Sequence, residues 1–559
     1  MPLSEADTRA KLLDPALHAR GWTEDLIRRE ETAGAIELVD GLVPRRARGR
    51  TDYTLRVLVR PRTQPVAVAV VEAKAESLPP GHGLQQAKAY ADATRLNVPF
   101  VFASNGHLFV EYDRTTGLTS EAQPLTAFPS PAELRARYEQ AVGFSLDDAA
   151  AKPLLVPYQR GDATRRYYQD AAIRAALEKL ARCELDGSPM RVLLALATGA
   201  GKTFIAVNLL RRIADAGQLR RALFVCDRDE LRSQALGALQ NAFGNDAAEA
   251  RAGNAQKNAR IVIATYQTLG IEADGDASFL TTHYPENYFS HIVIDECHRS
   301  AWGKWSEVLR RNAGAVQIGL TATPRELALS GEDSAEARLD AQITADNIRY
   351  FGEPVYVYDI GQGIEDGYLA ACEIVRRDIF LDRSSLNEAE AGLAQAQLAG
   401  KTLIDARTGE LLSVAEAKAF YGASSFEAQL LLPDRVEAMT EDLFAALLAT
   451  GGPEQKTIIF CATDQHADAV ANSLNNRYAG WCQANGLAPV EPYAFKCTAA
   501  AGDADDSLKE LRGSPRRFMV ATTVELLTTG VDVPAVRNIV FFKYVRSPIA
   551  FYQMVGRGT

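Results

Sequence analysis

The sequence of 559 residues predicts an α/β protein in which a smaller N-terminal domain precedes two doubly wound parallel sheets. The first observation is an apolar strand candidate, residues 191–197, that runs into a glycine-rich turn and then a helical pattern. The second is the apolar run His291–Ile294, which ends in the adjacent carboxylates Asp295 and Glu296. The third is the return of strand and helix alternation in the last part of the chain. Sheets of this kind bind ligands at the carboxyl ends of their strands.

Changes of pattern along the chain predict four regions. Residues 1–152 mix short strands with helices and form the first domain, and residues 153–352 form the domain of the first parallel sheet. Residues 353–431 are an irregular linking segment, and residues 432–559 return to the alternation. The strands predicted for the two sheets are residues 191–197, 221–226, 260–265, 291–294, 316–320, 456–461, 518–521 and 538–542, with a helix over 204–216.

Composition and charge limit the class of protein. Hydrophobic residues make up 47% and charged residues 24% of the chain, which is ordinary for a globular protein. The seven cysteines are scattered without a C-x-x-C pair, so we expect reduced thiols and a cytoplasmic protein. No apolar run reaches the ~20 residues that span a bilayer, so we expect no membrane partner. The net charge of −10 is unfavourable for nucleic-acid binding, although a groove needs only a local basic stripe.

The glycine-rich turn and the acidic pair are complementary parts of a nucleotide site. Glycines let backbone N–H groups approach a phosphate chain, a lysine reaches its terminal oxygens, and a threonine hydroxyl can bind Mg²⁺. In the acidic pair, Asp295 would bind the metal and Glu296 would act on the attacking water. The predicted cofactor-binding residues are Thr198, Gly199, Gly201, Lys202, Thr203 and Asp295, of which Thr203 and Asp295 are metal ligands.

Further short motifs occur in a fixed order around these two. Gln169, upstream of the glycine-rich turn, could read the edge of an adenine through its amide. The stretches 263–269 and 320–324 flank the acidic pair, and the stretches 458–462, 528–534 and 553–558 follow in the last region. Together these motifs resemble the superfamily 2 helicases, whose two RecA-like domains bind ATP in the cleft between them.

The helicase resemblance implies that the first RecA-like domain holds ATP and Mg²⁺. The second domain would contribute Gly530 and Asp532 to the nucleotide site and Arg557 across the cleft, where an arginine can contribute ~10³–10⁵ in rate. The family pattern Q-x-x-G-R-x-x-R needs a second arginine, and the sequence stops at Thr559, just before it. We therefore expect a second RecA-like domain that is truncated at its C-terminus and turns over ATP poorly.

The first region carries a second set of polar residues, which fits a metal-dependent reaction. Its apolar strand candidate ends in Glu72 and Lys74, which period-2 alternation places on one face. Asp52 can join Glu72 in binding a divalent metal, while Lys74 orients the attacking water or stabilises the pentavalent phosphate. In the following helix, Gln86 and Tyr90 share a face that can point at this site. A simple ion pair at a strand end is the alternative explanation for Glu72 and Lys74.

The pattern Asp…Glu-x-Lys followed by Gln-x-x-x-Tyr resembles the nuclease domain of Type I restriction enzyme R (motor) subunits. The stretches 4–9, 102–106, 350–356 and 362–369 also resemble that family, so the resemblance covers essentially the whole chain. It implies an N-terminal PD-(D/E)xK nuclease domain followed by two RecA-like helicase domains, in a Type I site-specific deoxyribonuclease. The predicted catalytic residues are then Asp52, Glu72, Lys74, Gln86, Tyr90, Glu296 and Arg557, with Asp52 and Glu72 as metal ligands.

The resemblance also implies partners. These are double-stranded DNA, which is translocated with ATP, and the methyltransferase (M) and specificity (S) subunits of a restriction–modification complex that cuts unmethylated foreign DNA. Two other classes stay open: a stand-alone helicase–nuclease of another defence or repair system, and a nucleic-acid-binding ATPase with an inactive nuclease-like domain. The basic run Arg45, Arg46, Arg48 and Arg50 could steer phosphates toward Asp52 or could be a solvated loop.

Overall fold

The computed structural model describes most of the chain. Its described residues are 2–32, 50–159, 166–226, 229–270, 278–295, 297, 306–322, 347–377, 392–394, 398–418, 420–422, 425–498, 510–511, 513, 517–524, 533, 535–545, 547–556 and 558. They divide into two compact units, of which the first ends at Ala370 and the second begins at Ala371. Among these residues, the first unit contains two seven-stranded sheets, and the second contains a four-stranded sheet and two smaller ones.

A mixed sheet forms the N-terminal part of the first unit. Its elements are α1 Glu5–Thr8, a π-helical turn Arg9–Leu13, α2 Asp14–Ala19, β1 Ile27–Thr32, β2 Arg50–Val57, β3 Val66–Ala73, α3 Leu84–Ala91, β4 Phe100–Ser104, β5 Leu108–Asp113, β6 Leu118–Thr119, β7 Gln123–Pro124, α4 Pro131–Val142 and α5 Lys152–Leu155. The strand order is β1-β2-β3-β4-β5-β6 with β7 beside β5, and β3 runs parallel to β4. α3 packs on β3 and β4, and α4 packs on β2 and β3. Nearly every side chain of β3 is buried, which explains its continuous apolar sequence.

A parallel sheet forms the rest of the first unit. Its elements are α6 Tyr167–Asp186, β8 Arg191–Leu196, α7 Lys202–Asp215, β9 Ala222–Cys226, α8 Asp229–Phe243, β10 Ala247–Glu249, β11 Ile261–Thr265, α9 Phe279–His283, β12 His291–Ile294, α10 Ser306–Arg311, β13 Val316–Thr321, β14 Tyr356–Tyr358 and α11 Ile360–Glu365. The strand order is β10-β11-β9-β12-β13-β8-β14, and the strands run parallel. The five strands predicted for this sheet are present, each end within one residue of its predicted position.

One strand of the parallel sheet lies in the segment that the sequence pattern describes as irregular. β14 pairs with β8 beyond residue 352, where we expected the domain of this sheet to end. A strand of three residues is too short to show a period, so its sequence gives no signal. The strand lies next to the glycine-rich turn, because the Ala197 N–H donates to the carbonyl of Tyr358 at 2.7 Å.

A continuous buried core joins the mixed sheet to the parallel sheet. It includes Tyr53 and Val68 from the mixed sheet and Leu194 from the parallel sheet. The connection between the sheets is also fixed by polar contacts, because the Arg212 guanidinium of α7 donates to the carbonyls of Pro153 and Leu154 in α5. The two sheets of the first unit therefore pack as one body.

The second unit contains two small antiparallel sheets and one parallel sheet. Its elements are β15 Gly392–Ala394, β16 Leu403–Asp405, β17 Leu411–Leu412, β18 Phe420–Gly422, β19 Leu430–Leu431, α12 Pro433–Thr450, β20 Thr457–Phe460, α13 Asp464–Ala484, β21 Ala494–Lys496, β22 Val520–Thr523, β23 Asn538–Phe541 and α14 Pro548–Val555. The parallel sheet has the order β21-β22-β20-β23. The strand predicted at 518–521 begins two residues later, as β22 Val520–Thr523. Phe518 has a φ of 54°, which is incompatible with a strand at that residue. Within the described part of the chain, no helix is both long and apolar enough to cross a membrane.

A buried histidine makes the second unit sensitive to acid. Burial, with a smaller effect of Arg435, lowers the pKa of His466 to about 3, against about 6.5 in an unfolded chain. Above pH ~6.5 both states are neutral. Below pH ~6.5 the histidine of the unfolded chain becomes protonated, while that of the folded chain stays neutral. The free energy of unfolding therefore falls by about 2 kcal/mol by pH ~5. We expect urea unfolding to show this loss, and His466→Asn to reduce it, because the amide oxygen can still accept from the Ala462 N–H, as Nδ1 does.

The matched control for this prediction is the exposed His82 of the first unit, since His82→Asn should leave the acid dependence unchanged. An identical loss of stability between pH 7 and pH 5 in His466→Asn and the unmodified protein would contradict the assignment.

Candidate functional site

The first polar cluster lies where the start of β2 runs beside the end of the antiparallel β3. The register pairs Tyr53 with Val71, which places Asp52 beside Glu72. Asp52 Oδ2 accepts a hydrogen bond from the Ala73 N–H at 2.7 Å, and Lys74 Nζ lies 2.7 Å from Glu72 Oε1. The structure therefore brings together the three residues that the sequence selected as a metal-dependent centre.

The helix α3 adds the other two predicted residues to the same cluster. Gln86 Oε1 accepts a hydrogen bond from Lys74 Nζ at 3.2 Å. Gln86 Nε2 donates to the Tyr90 hydroxyl at 3.0 Å, as expected for residues one helical turn apart. Gln86 thus contacts Lys74 directly, whereas Tyr90 acts on the cluster through Gln86.

Arg9 is a member of the cluster that we did not predict as a site residue. Its Nη1 lies 3.0 Å from Asp52 Oδ1, and its guanidinium lies over the ring of Tyr53 at 5.5 Å. Glu5 contributes a carboxylate 3.5 Å from Lys74 Nζ. The short N-terminal helical segment therefore closes one side of the cluster and contributes charges of both signs.

Burial dominates the electrostatics of the two carboxylates. Glu72 is 2% exposed, and its Oε2 is buried without a hydrogen-bond partner. Burial and then the neighbouring charge of Asp52 hold the pKa of Glu72 well above its usual range. Burial also raises the pKa of Asp52. Two partly desolvated carboxylates of this kind are a common feature of functional sites, because a bound cation offsets the cost of their burial.

The cluster fits a divalent metal on these observations, although it does not form a complete protein cage. The residues that the structure describes contain no group of three His, Cys, Asp or Glu side chains arranged to hold a metal ion. Mg²⁺ is commonly held by one or two carboxylates, with waters and substrate phosphates completing its shell. Asp52 and the unpartnered Oε2 of Glu72 satisfy that smaller requirement.

Gly83 lets α3 approach the cluster closely. A Cβ at this position would lie 2.8 Å from Glu72 Cγ and 2.9 Å from Lys74 Cε, so the side chains would have to move. A displacement of about 1 Å at a reacting centre can cost about 10²-fold in rate. For the nuclease reaction that the sequence resemblance implies, we expect Gly83→Ala to lower the rate of DNA cleavage by about this factor, as measured on a long duplex with Mg²⁺.

Gly81 supplies the matched control for this prediction. A Cβ there would meet Val110 Cγ2 at 3.7 Å, which is an ordinary contact, so Gly81→Ala should cleave normally. Equal rates for the two alanine variants would show that the approach of α3 does not determine the geometry of the cluster.

The second cluster surrounds the glycine-rich turn between β8 and α7. Gly199 and Gly201 both have a φ of 83°, in the left-handed region that favours glycine. A Cβ at Gly201 would lie 2.8 Å from Gln169 Nε2, so an alanine there would also displace the Gln169 amide. α7 begins at Lys202 and continues through Thr203, so the turn leads directly into a helix N-terminus, where backbone N–H groups attract phosphate. These features fit the phosphate chain of a nucleotide.

Gln169 and its neighbour hold this turn from α6. The Tyr168 hydroxyl donates to the Ala200 carbonyl at 2.9 Å, and Gln169 Nε2 donates to the same oxygen at 3.4 Å. Gln169 Oε1 accepts from the Arg166 N–H at 3.1 Å. The structure therefore uses both ends of the Gln169 amide inside the fold, and contact with an adenine stays a prediction.

The sheet topology places the remaining predicted residues of the first domain at the same edge. β8 and β12 are both neighbours of β13, so their carboxyl ends are about 10 Å apart at the usual strand spacing. Asp295 follows β12 and is 3% exposed, and Thr321 ends β13 between the two. Glu296, Gly530, Asp532 and Arg557 lie outside the described residues, as do Arg45, Arg46 and Arg48 of the basic run.

Comparison with protein families identifies the two parallel-sheet regions. Residues 162–326 match the family model of the Type III restriction enzyme res subunit. Residues 439–559 match the model of the helicase conserved C-terminal domain. The glycine-rich turn and Asp295 both lie inside the first match.

Relatives extend the similarity over the whole chain. The chain is 32% identical over 573 aligned positions to the Type I restriction enzyme EcoAI endonuclease subunit of Escherichia coli, an alignment that covers 100% of the chain. This chain is a homologue of Type I restriction endonuclease subunits. It spans 64% of the EcoAI subunit, and its 28% identity to the EcoKI subunit of Escherichia coli K12 extends over 70% of the chain and 33% of that subunit.

A solved structure of a Type I protein shares the fold. A fragment described as an HsdR subunit of a type I restriction enzyme from Vibrio vulnificus YJ016 superposes with a TM-score of 0.71 and 28% identity, covering 100% of this chain and 90% of that fragment. The predicted α/β fold class, with its helicase-type parallel sheets, is therefore confirmed.

Proposed function

We propose that this chain is the motor and cleavage subunit of a Type I restriction–modification system, which translocates double-stranded DNA with ATP and cuts unmethylated foreign DNA. The observation that supports it best is the presence of two complementary clusters in one compact unit. One is the carboxylate and lysine cluster of Asp52, Glu72 and Lys74, and the other is the phosphate-binding turn after β8. A motor without a nuclease would not need the first cluster.

At the nuclease cluster, Asp52 and Glu72 would hold Mg²⁺ through their carboxylate oxygens. The bound metal would polarise the scissile phosphate and lower the pKa of the attacking water. Lys74 Nζ, at 2.7 Å from Glu72, is placed to stabilise the additional negative charge on the phosphate. Gln86 restricts the Lys74 ammonium to this position, and Arg9 does the same for Asp52. Gln86 and Tyr90 thus contribute by positioning.

At the nucleotide site, the N–H groups of the glycine-rich turn would bind the phosphates of ATP. Lys202 would reach the terminal phosphates, and Thr203 and Asp295 would hold the accompanying Mg²⁺. Thr198 would form the start of the turn, Glu296 would orient the attacking water, and the second RecA-like domain would contribute Gly530, Asp532 and Arg557. Gln169 would have to exchange its contact with Ala200 for one with the adenine.

The test is an ATPase and cleavage assay on long duplex DNA with Mg²⁺, with and without the co-encoded methyltransferase and specificity subunits. The proposal expects both activities to depend on those subunits and on an unmethylated recognition site. Cleavage and ATP hydrolysis by the chain alone would instead indicate a stand-alone helicase–nuclease. ATP hydrolysis without cleavage would indicate a motor with an inactive nuclease-like domain.

A further inference from the structure

The loop that follows α3, residues 94–97, belongs to the mixed-sheet part of the first unit (residues 2–155), here called the nuclease region. It is bound by side chains of the parallel-sheet part (residues 166–370), here called the motor region. Its four consecutive carbonyls accept hydrogen bonds from that side: Thr94 from Tyr356 and Gln362, Arg95 from Tyr356, and Leu96 and Asn97 from Arg174. Tyr356 and Gln362 belong to β14 and α11, and Arg174 belongs to α6. These hydrogen bonds fix the path of the loop, because a lost partner would leave a partly or fully buried carbonyl unsatisfied.

Asp366 lies at the centre of this interface and is 0% exposed. Its Oδ1 accepts a hydrogen bond from Arg95 Nη1 at 2.7 Å. The loop of residues 94–97, here called the captured loop, therefore also donates a side-chain hydrogen bond to the motor region. Its Oδ2 accepts from the hydroxyls of Tyr167 and Tyr358. A fully buried carboxylate needs all of these partners, so the loop, α6 and β14 have to move together.

One side of the Asp366 interface leads to the phosphate-binding turn. Tyr168, next to Tyr167 in α6, stacks on Tyr358 with ring centroids 3.7 Å apart. Its hydroxyl donates to the Ala200 carbonyl, between the two glycines of the turn. A rearrangement of the turn around a phosphate chain would therefore act through Tyr168 on Tyr358, whose hydroxyl donates to Asp366.

The other side leads to the nuclease cluster. The captured loop directly follows α3, which carries Gln86 and Tyr90. Gln86 is the residue of that helix that accepts from Lys74 Nζ. A shift of the loop would therefore change the distance between Gln86 and Lys74.

We infer that Asp366 is a positioning residue that couples nucleotide occupancy of the turn after β8 to the placement of α3 against Lys74. The inference rests on the proposed function, because it requires that the turn binds ATP. It adds a regulatory connection inside the first unit, by which the state of the motor sets the geometry of the nuclease cluster. Couplings of this kind typically change an equilibrium by about 5–150-fold.

Amide hydrogen exchange tests the coupling without using either activity. The full chain is measured with Mg²⁺, with and without a non-hydrolysable ATP analogue, and exchange is followed in the turn at 197–203 and in residues 84–97. We expect the analogue to slow exchange in the turn and to change exchange in 84–97 by about 5-fold or more. Asp366→Asn should keep the first response and lose the second.

Two further variants complete the experiment. Tyr356→Phe removes the hydroxyl that binds Thr94 and Arg95 and should also lose the response in 84–97. Glu365→Gln is the matched control, because Glu365 contacts the same Arg95 from a side chain that is 54% exposed, and it should respond normally. The response of the turn shows in each variant that the motor region is folded and binds the analogue.

The outcomes separate the coupling from the proposed function. A response of the turn without any response in 84–97, or a full response in both Asp366→Asn and Tyr356→Phe, would overturn the coupling and leave the proposed function standing. A turn that does not respond to the analogue in the unmodified chain would overturn both.

Discussion

Replacing Lys202 with alanine is expected to lower ATP hydrolysis by at least about 10²–10³-fold and to stop ATP-dependent DNA cleavage. The reason is that Lys202 begins α7 at the end of the glycine-rich turn, where under the proposed function its ammonium would neutralise charge on the terminal phosphates of ATP. Cleavage should stop as well, because the proposed mechanism delivers DNA to the nuclease by translocation. The measurement is phosphate release and duplex cleavage in the same reaction.

Lys257→Ala is the control for the Lys202 experiment. Lys257 lies in the parallel-sheet part of the first unit and has an exposed side chain. The Lys257→Ala variant should therefore hydrolyse ATP and cleave DNA at the normal rate. Undiminished ATP hydrolysis by the Lys202 variant would mean that the turn is not the nucleotide site.

Replacing Lys74 with alanine is expected to separate the two activities, which the Lys202 variant should lose together. Cleavage should fall by about 10²–10³-fold while ATP hydrolysis is unchanged, because the ammonium binds Glu5, Glu72 and Gln86 in the proposed nuclease cluster. Glu72→Gln, which keeps the shape of the side chain but removes its charge, should show the same pattern. Both activities are measured in the presence of the proposed methyltransferase and specificity subunits.

The control here is Lys11→Ala, which removes an exposed ammonium from the same N-terminal segment, paired only with Asp7 at 2.7 Å in the described structure. It should leave both activities intact. Equal loss of ATP hydrolysis and cleavage in Lys74→Ala would contradict the assignment of separate sites.

Strands that are buried on both faces could be predicted from the sequence because their apolar runs are continuous. β8 and β12 are of this kind, and each leads into a motif that marks its carboxyl end. β14 and β21 have only three residues each, so no period distinguishes them from loops. The displaced β22 shows a second limit, since a positive φ at Phe518 is not visible in an apolar sequence.

The site was predictable where its residues follow a local period. Glu72 lies near the end of β3 and Lys74 follows the last residue of that strand two positions later, while Gln86 and Tyr90 are one helical turn apart, so each pair is recognisable by itself. Arg9 and Asp366 were missed because their partners are distant in sequence and no local period marks them. Asp366 meets Arg95 across 271 positions of sequence, and only the packing of the two sheets brings them together.

The shared core of the mixed and parallel sheets has a mechanical consequence. A nuclease on a flexible tether could reach any DNA within the length of that tether. Here the cutting centre would instead travel with the ATP-binding lobe at a fixed offset. Under the proposed function, the position of a cut would then record where that lobe stood on the duplex. Lengthening the connection at residues 156–159, after α5, should not widen the distribution of cuts unless it also breaks the core.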